Sequence, residues 1–429
     1  MARLRIGSAG RGLAHVLLGT IGAQVILVAA LPFLSRLYTP EQFGYFSLIL
    51  ALAGLVAPSA TFRFETAAML PEKDSEVRAL AWNAILACLG TAVVFGAVLQ
   101  TLASNGIGEL GRHPYLPAWA ALMVALTGLY SLLSQLALRK REYALIAQRS
   151  FTRSFATAVS QVALGLIGRT GDGLVVGGVI GNAVGISSMY LRTRELLRFP
   201  SRGDLRRVWR TYWRFPAVFA PSALLNSAGL QAPIIFFTFW FGIAAGGQLG
   251  MAERLVGIPL TLVGAAVGQV IDAEISKRIR EGAEGLRHTY LRISLALAGL
   301  GTLVAIVFGW VGGWLVPWVL GDQWVLAGQM VQILAVTSGI RLVASPLSRF
   351  LLLLQKSLVN TVLDIVRVVL MLGSMVVVMA LQVDLAPALW LVYSALAVTY
   401  IATWICGLSA TASSAISDGT LARGNRPQA

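Results

Sequence analysis

The chain has 429 residues, 57% of them hydrophobic and 12% charged, with a mean hydropathy of +0.75. A water-soluble domain cannot carry that much apolar surface, so a soluble fold is excluded and the composition predicts an all-α polytopic membrane protein. The 34 Lys and Arg against 19 Asp and Glu leave a net charge of +15, which on this background marks no nucleic-acid binder and must be read by position along the chain.

Apolar runs of membrane length fall at 13–34, 43–62, 79–102, 116–138, 145–168 and 173–191, and then, beyond a basic stretch, at 215–241, 247–271, 289–310, 325–344, 357–381 and 386–408. Each is near the roughly 20 residues that cross a hydrocarbon core, which predicts about 12 transmembrane helices. The first run follows the charged start MARLRIGSAGR but outruns a signal-peptide core, so it is read as a retained span. The expected organisation is an N-terminal six-helix lobe at 1–191, a basic cytoplasmic linker at 192–214, a C-terminal six-helix lobe at 215–408 and a flexible cytoplasmic tail at 409–429.

Lys and Arg test this count, because they are retained on the cytoplasmic side. With the N-terminus inside, 28 of them fall in cytoplasmic segments, against Arg36, Arg112 and Arg169 in outer loops. Both termini are therefore expected in the cytoplasm. A weak repeat relates the halves: Ser131, Leu133, Ser134 and Arg153 align at one offset with Ser345, Leu347, Ser348 and Arg367, and Pro32 and Gly44 parallel Pro233 and Gly247. This predicts two pseudo-symmetric lobes of like orientation around a central cavity.

Signals for catalysis are weak. Cys88 and Cys406 sit far apart in apolar runs, and His15, His113 and His288 lie in separate segments, so neither a disulfide framework nor a metal site is expected. Gly106, Gly108 and Gly111 match G-x-G-x-x-G, but in a short outer loop between helices they read as turn residues. No lysine has the spacing of a phosphate-binding loop. No cofactor is expected, and energy is left to proton or other ion coupling, the membrane potential or the substrate itself.

Charge inside the spans is more informative, since a lone ion there costs at least about 2.5 to 3.5 kcal/mol unless it meets a partner or a wet cavity. Arg254 lies about seven residues into the eighth span, beside Glu253, which points about 100° away around the helix. Arg254 either lines a polar cavity or pairs with another helix. Asp364 and Arg367, three apart, share a face and form either a structural ion pair or a cavity site. Arg341 and Arg153 lie nearer the cytoplasmic ends, where they either snorkel to the interface or line the cavity, the first being favoured by their depth. The seventh span holds Pro216, Pro221, Asn226, Ser227, Gln231 and Pro233, so it should be bent and partly wet; Asn226 and Gln231 then either hydrogen-bond sugar hydroxyls or tie helices together.

Several segments are similar to a known family: PFLSRLYTPEQFGYFSL from Pro32, RFETAAMLP from Arg63, GLVVGGVIGN from Gly173, AERLVGIPLTLVGAAVGQV from Ala252, LGDQWVLAGQM from Leu320 and SPLSRFLLLLQKS from Ser345. Together, in order over nearly the whole chain to about residue 400, they resemble the Wzx-type oligosaccharide flippases of the multidrug/oligosaccharidyl-lipid/polysaccharide exporter superfamily. The resemblance implies a MATE-like fold in the bacterial inner membrane. It also implies translocation of an undecaprenyl-diphosphate-linked glycan to the outer leaflet for O-antigen, capsule or exopolysaccharide synthesis, by alternating access. Its implied partners are that glycan, membrane lipids, and a polysaccharide polymerase and chain-length regulator. The stretch Arg254-Leu255 to Pro259 is similar to the R-L-x-x-x-P segment of the related lipid II flippases, which implies a diphosphate-binding role for Arg254, and Arg36 is similar to a second family cation. Arg153, Arg341 and Arg367 complete the candidate anion-binding set, and Glu253 and Asp364 are coupling or ion-pair candidates.

Two alternatives stay open. A cation-coupled drug antiporter of the same superfamily predicts intramembrane acids for a cationic substrate, whereas the first span has none and the buried charges favour an anion. A noncatalytic scaffold for glycan assembly would need no charge within the spans. An enzyme would be expected to carry catalytic acids on large outer loops, and these loops are short, so the chain is read as a non-enzyme.

Overall fold

The computed structural model describes residues 2–168, 171–280, 286–354 and 356–424, so Arg169 and the end of the expected tail, 425–429, lie outside the described residues. The first half comprises α1 (Ala2–Leu37), α2 (Pro40–Ala60), the single turn α3 (Phe64–Ala67), α4 (Asp74–Ser104), the short α5 (Gly108–Arg112), α6 (Leu116–Arg139), α7 (Tyr143–Leu166) and α8 (Gly173–Thr193). Then follow α9 (Arg202–Thr211), α10 (Ala220–Phe241), α11 (Ile243–Arg280), α12 (Leu286–Leu320), α13 (Val325–Leu353), α14 (Ser357–Leu381) and α15 (Leu385–Gly424). No strand occurs among the described residues. The expected all-α polytopic class is the one observed.

Ten of these helices are long and apolar enough to cross a membrane, and each matches an expected run. The other two expected runs, 145–168 and 247–271, are helical as α7 and α11. The α7 run is diluted by Gln148, Arg149 and Arg153.

Local chemistry sets the helix ends. Thr39 and Gln42 form a reciprocal cap at the start of α2, the Gln42 amide donating to the Thr39 hydroxyl oxygen and the Thr39 amide to Gln42 Oε1, with Pro40 in the first turn. The glycine-rich outer turn after α4 needs Gly106 and Gly108 at positive φ, +72° and +51°, which is the turn role expected of them. Pro216 lies within a π-helical turn at Phe215–Phe219, and Pro221 stands in the first turn of α10 that follows it. The seventh span is thus irregular where its prolines remove backbone donors.

The chain forms two compact units, Met1–Met251 and Ala252–Ala429. In the first, α2 packs on α6 and α10, α7 joins α1 to α8, and α4 carries α6 and α9. A core of Phe64, Val77, Leu80, Leu132, Leu136, Met189, Leu196 and Val208 ties the basic helix α9 to the spans through Val208. Small residues allow close approach: a Cβ on Gly44 would stand 1.8 Å from the Ile243 carbonyl oxygen, and one on Gly247 would stand 1.9 Å from that of Pro40. In the second unit, α13 packs on α12 and α15, and α14 on α15. Gly301 and Gly339 meet backbone to backbone between α12 and α13.

Candidate functional site

The second unit holds a basic cleft between one face of α11 and one face of α13. Gly257, Leu260 and Gly264 line it from α11, and Arg341, Leu342, Ser345, Pro346 and Arg349 from α13, around a cavity of about 230 Å³. Its origin is legible in the helical period. Arg341, Ser345 and Arg349 are four apart and form one ridge, while Gly257, Gly264 and Gly268 stack on the facing side of α11. Gly257 and Gly264 each have open space where a side chain would stand, and a Cβ on Gly268 would come within 3.0 Å of the Arg349 guanidinium. The absence of side chains on α11 makes the room, and α13 supplies the charge. Among the described residues no carboxylate lines the cleft.

Glu253 and Arg254 lie one turn before Gly257 and flank its face of α11. The Tyr393 hydroxyl of α15 donates to Glu253 Oε1 at 2.6 Å. Arg341 is close enough for its charge to act on both groups, so the acid is held by a phenol donor and faced by a cation from α13. Arg254 is partly buried on this same end of α11.

Asp364 and Arg367 are joined on α14 at 3.0 Å, both largely buried. Asn360 Nδ2 donates to the other Asp364 oxygen at 3.2 Å, and the guanidinium lies 5.1 Å from the centre of the Tyr400 ring. Among the described residues, the buried Arg367 Nε has no hydrogen-bond partner. The geometry is that of a caged ion pair with one donor to spare.

The remaining candidates lie in the first unit. Arg36 is exposed in the last turn of α1. Arg153, on α7, is half-buried with its guanidinium 4.3 Å from the centre of the Tyr130 ring, in room left by Gly181 and Gly185 of α8. Asn226 is exposed on α10, whereas Gln231 turns its amide onto Gly54 of α2, leaving 2.7 Å between its nitrogen and the place a Cβ would take. Gln231 therefore sits in the α2–α10 contact, and the two residues are not brought together.

Sequence reasoning overlooked Tyr393, Tyr400, Arg349 and Glu65. Tyr393 and Tyr400 are seven apart on α15, a spacing that places two phenols on one face and was available as a signal. Glu65 lies in the RFET stretch, is buried, accepts the Thr61 hydroxyl and is 3.5 Å from Arg63. Among the described residues no group of three or more His, Cys, Asp or Glu is placed to hold a metal.

Comparison with known proteins agrees with this architecture. Residues 33–328 match the family described as polysaccharide biosynthesis protein. The succinoglycan biosynthesis transport protein ExoT of Rhizobium meliloti (strain 1021) is 25% identical over 340 residues, an alignment covering 78% of this chain and 65% of that relative, so the chain spans about two thirds of its length. Among solved structures, an inward-facing multidrug resistance MATE family transporter of the MOP superfamily aligns over 96% of both chains with a TM-score of 0.57 and 16% identity. A Pyrococcus furiosus MOP superfamily transporter, whose binding pocket is described as having reversed polarity, aligns over 93% of this chain and 96% of its own, with a TM-score of 0.54 and 12% identity. At these identities the structures establish the fold that is shared.

Proposed function

Because the chain belongs to the polysaccharide biosynthesis protein family and is a multi-pass membrane protein, we propose that it is a flippase for an undecaprenyl-diphosphate-linked oligosaccharide. It moves the glycan from the cytoplasmic to the outer leaflet of the bacterial inner membrane by alternating access, without catalysing a covalent change. The observation that carries this reading is the basic cleft of the second unit, with Arg341 and Arg349 on one ridge of α13. A diphosphate brings negative charge into a low-dielectric region, and guanidinium groups held on a helix lower that cost while gripping phosphate oxygens in a fork. Neutral groups such as the exposed Asn226 are suited to sugar hydroxyls.

The test is a strain lacking the protein. Lipid-linked glycan should accumulate on the cytoplasmic leaflet and clear when the intact gene is restored. Unchanged glycan export in that strain would overturn the reading. Glu253 carries the second reading, a cation-coupled antiporter, because it is an intramembrane acid engaged by a phenol. That reading predicts loss of resistance to cationic drugs and normal glycan export in the same strain.

A further inference from the structure

The first unit carries a second cavity that the flippase reading does not use. It is an apolar groove of about 680 Å³ running along the outer face of α4, lined by Asn83, Leu86, Gly90, Val94 and Val98 with Trp209 of α9 at one end. These α4 positions recur at intervals of three and four residues, so they make one stripe. From Asn83 to Val98 the stripe is about 22 Å long, more than half of a hydrocarbon core of about 30 Å, so it reaches through one leaflet. Leu86, Val94 and Val98 are each more than half exposed. Gly90 has open space above it, which deepens the middle of the groove.

Two polar side chains in the lining are already engaged within the protein. Asn83 Nδ2 donates to the Leu205 carbonyl at 3.2 Å, and the Thr91 hydroxyl donates to that of Ala60 at 3.2 Å. What the groove offers is hydrocarbon contact. Its mouth is built from a strained turn: Phe62 and Arg63 both take left-handed conformations, at φ of +53° and +62°, secured by the Thr61 and Arg63 contacts to buried Glu65. That turn sets Phe62 against Trp209, with ring centres 6.1 Å apart.

Beside this mouth the charge changes sharply. Arg202, Arg206 and Arg210 are four apart on α9, exposed, on the flank of the helix that carries Trp209. Among the described residues none of the three joins an ion pair. Arg207, on the opposite flank, is spent on Glu76 at 3.2 Å and Asp204 at 3.8 Å. The sequence thus sorts its arginines: one neutralises the protein's own acids, and three stand in a row where a membrane surface would be.

We propose that this groove and ridge form a binding site for an anionic glycerophospholipid of the surrounding bilayer, one acyl chain lying along α4 and the headgroup phosphate on Arg206 and Arg210. Hydrocarbon contact alone would accept any lipid. The row of cations over an apolar channel selects a negative headgroup. The site is separate from the basic cleft of the second unit and does not rest on the flippase reading.

Retention of phosphatidylglycerol against phosphatidylcholine of the same chains, read by native mass spectrometry of the full chain released from detergent, tests the proposal. The intact protein should keep phosphatidylglycerol preferentially. Arg206→Gln with Arg210→Gln should weaken it about tenfold or more. Gly90→Leu should also displace it, and this variant keeps its fold because the space is open and leucine favours a helix more than glycine does. Equal retention of the two lipids, or unaltered phosphatidylglycerol binding in both variants, would overturn the proposal. So would preferential retention of undecaprenyl phosphate over phosphatidylglycerol at this groove, since that would make it a station for the transported lipid.

Discussion

The hydroxyl of Tyr393 on α15 is bonded to Glu253 on α11 at 2.6 Å, across 140 residues of sequence. A carboxyl group buried among helices needs a partner for its oxygens, and Tyr393 is itself buried. Tyr393→Phe removes the donor without changing shape and should cost about 1 to 3 kcal/mol, read as a lower Tm of the purified protein. Glu253→Gln in the Tyr393→Phe background should recover part of the loss. Additive losses in the double variant would show that the bond contributes no coupling.

Asp364 and Arg367 allow a sharper separation of structure from transport. Removing one partner strands the other charge, so Asp364→Asn alone should destabilise by about 2 to 3 kcal/mol, below the fully buried range because both side chains keep some exposure. Asp364→Asn with Arg367→Leu should regain most of that stability. If the double variant is stable and exports glycan normally, the pair is purely structural. A stable double variant that has lost export would place Arg367 among the groups that handle substrate.

The spans were legible in the sequence because each is a run of apolar residues whose length the bilayer dictates. The π-helical turn before α10 falls at Pro216 and beside Pro221, where sequence marks an irregular start to the span for an equally local reason. The basic cleft was not. Its charge was visible in Arg341, which reads as a snorkelling residue from its depth alone, but the space beside it exists only because Gly257 and Gly264 face α13. A glycine is silent in a hydropathy reading. Likewise the spacing of Tyr393 and Tyr400 marks a face of α15 but not what it meets, because the partner of Tyr393 is fixed by packing between α11 and α15. Gln231 illustrates the converse: a polar residue that attracts attention in sequence proves to lie against Gly54 in a helix contact.

Gly44 should be among the least tolerant positions of the first unit. A Cβ there would stand 1.8 Å from the Ile243 carbonyl oxygen, so backbone must move. Gly44→Ala should cost at least about 1 to 3 kcal/mol, whereas Gly90→Ala, with nothing nearby, should be neutral or stabilising by up to about 1 kcal/mol. Thermal unfolding of the two variants side by side checks this, and equal Tm values would contradict the close approach of α2 and α11.

The strongest demand falls on the basic cleft itself. Gly264→Leu projects a side chain into space that is open, so the fold should tolerate it while the cleft is filled. Arg341→Gln removes a charge, and Arg341→Lys keeps the charge but loses the planar fork that grips two phosphate oxygens. Export should therefore fall in the order intact protein, Arg341→Lys, Arg341→Gln, with the last reduced about tenfold or more, and Gly264→Leu should resemble it at an unchanged Tm. A cleft that only stabilises the unit would give the opposite pattern: export normal in Gly264→Leu, and Tm lowered in the Arg341 variants in proportion to any loss of export. Equal export by Arg341→Lys and the intact protein would mean that a point charge suffices and that the guanidinium geometry is not used.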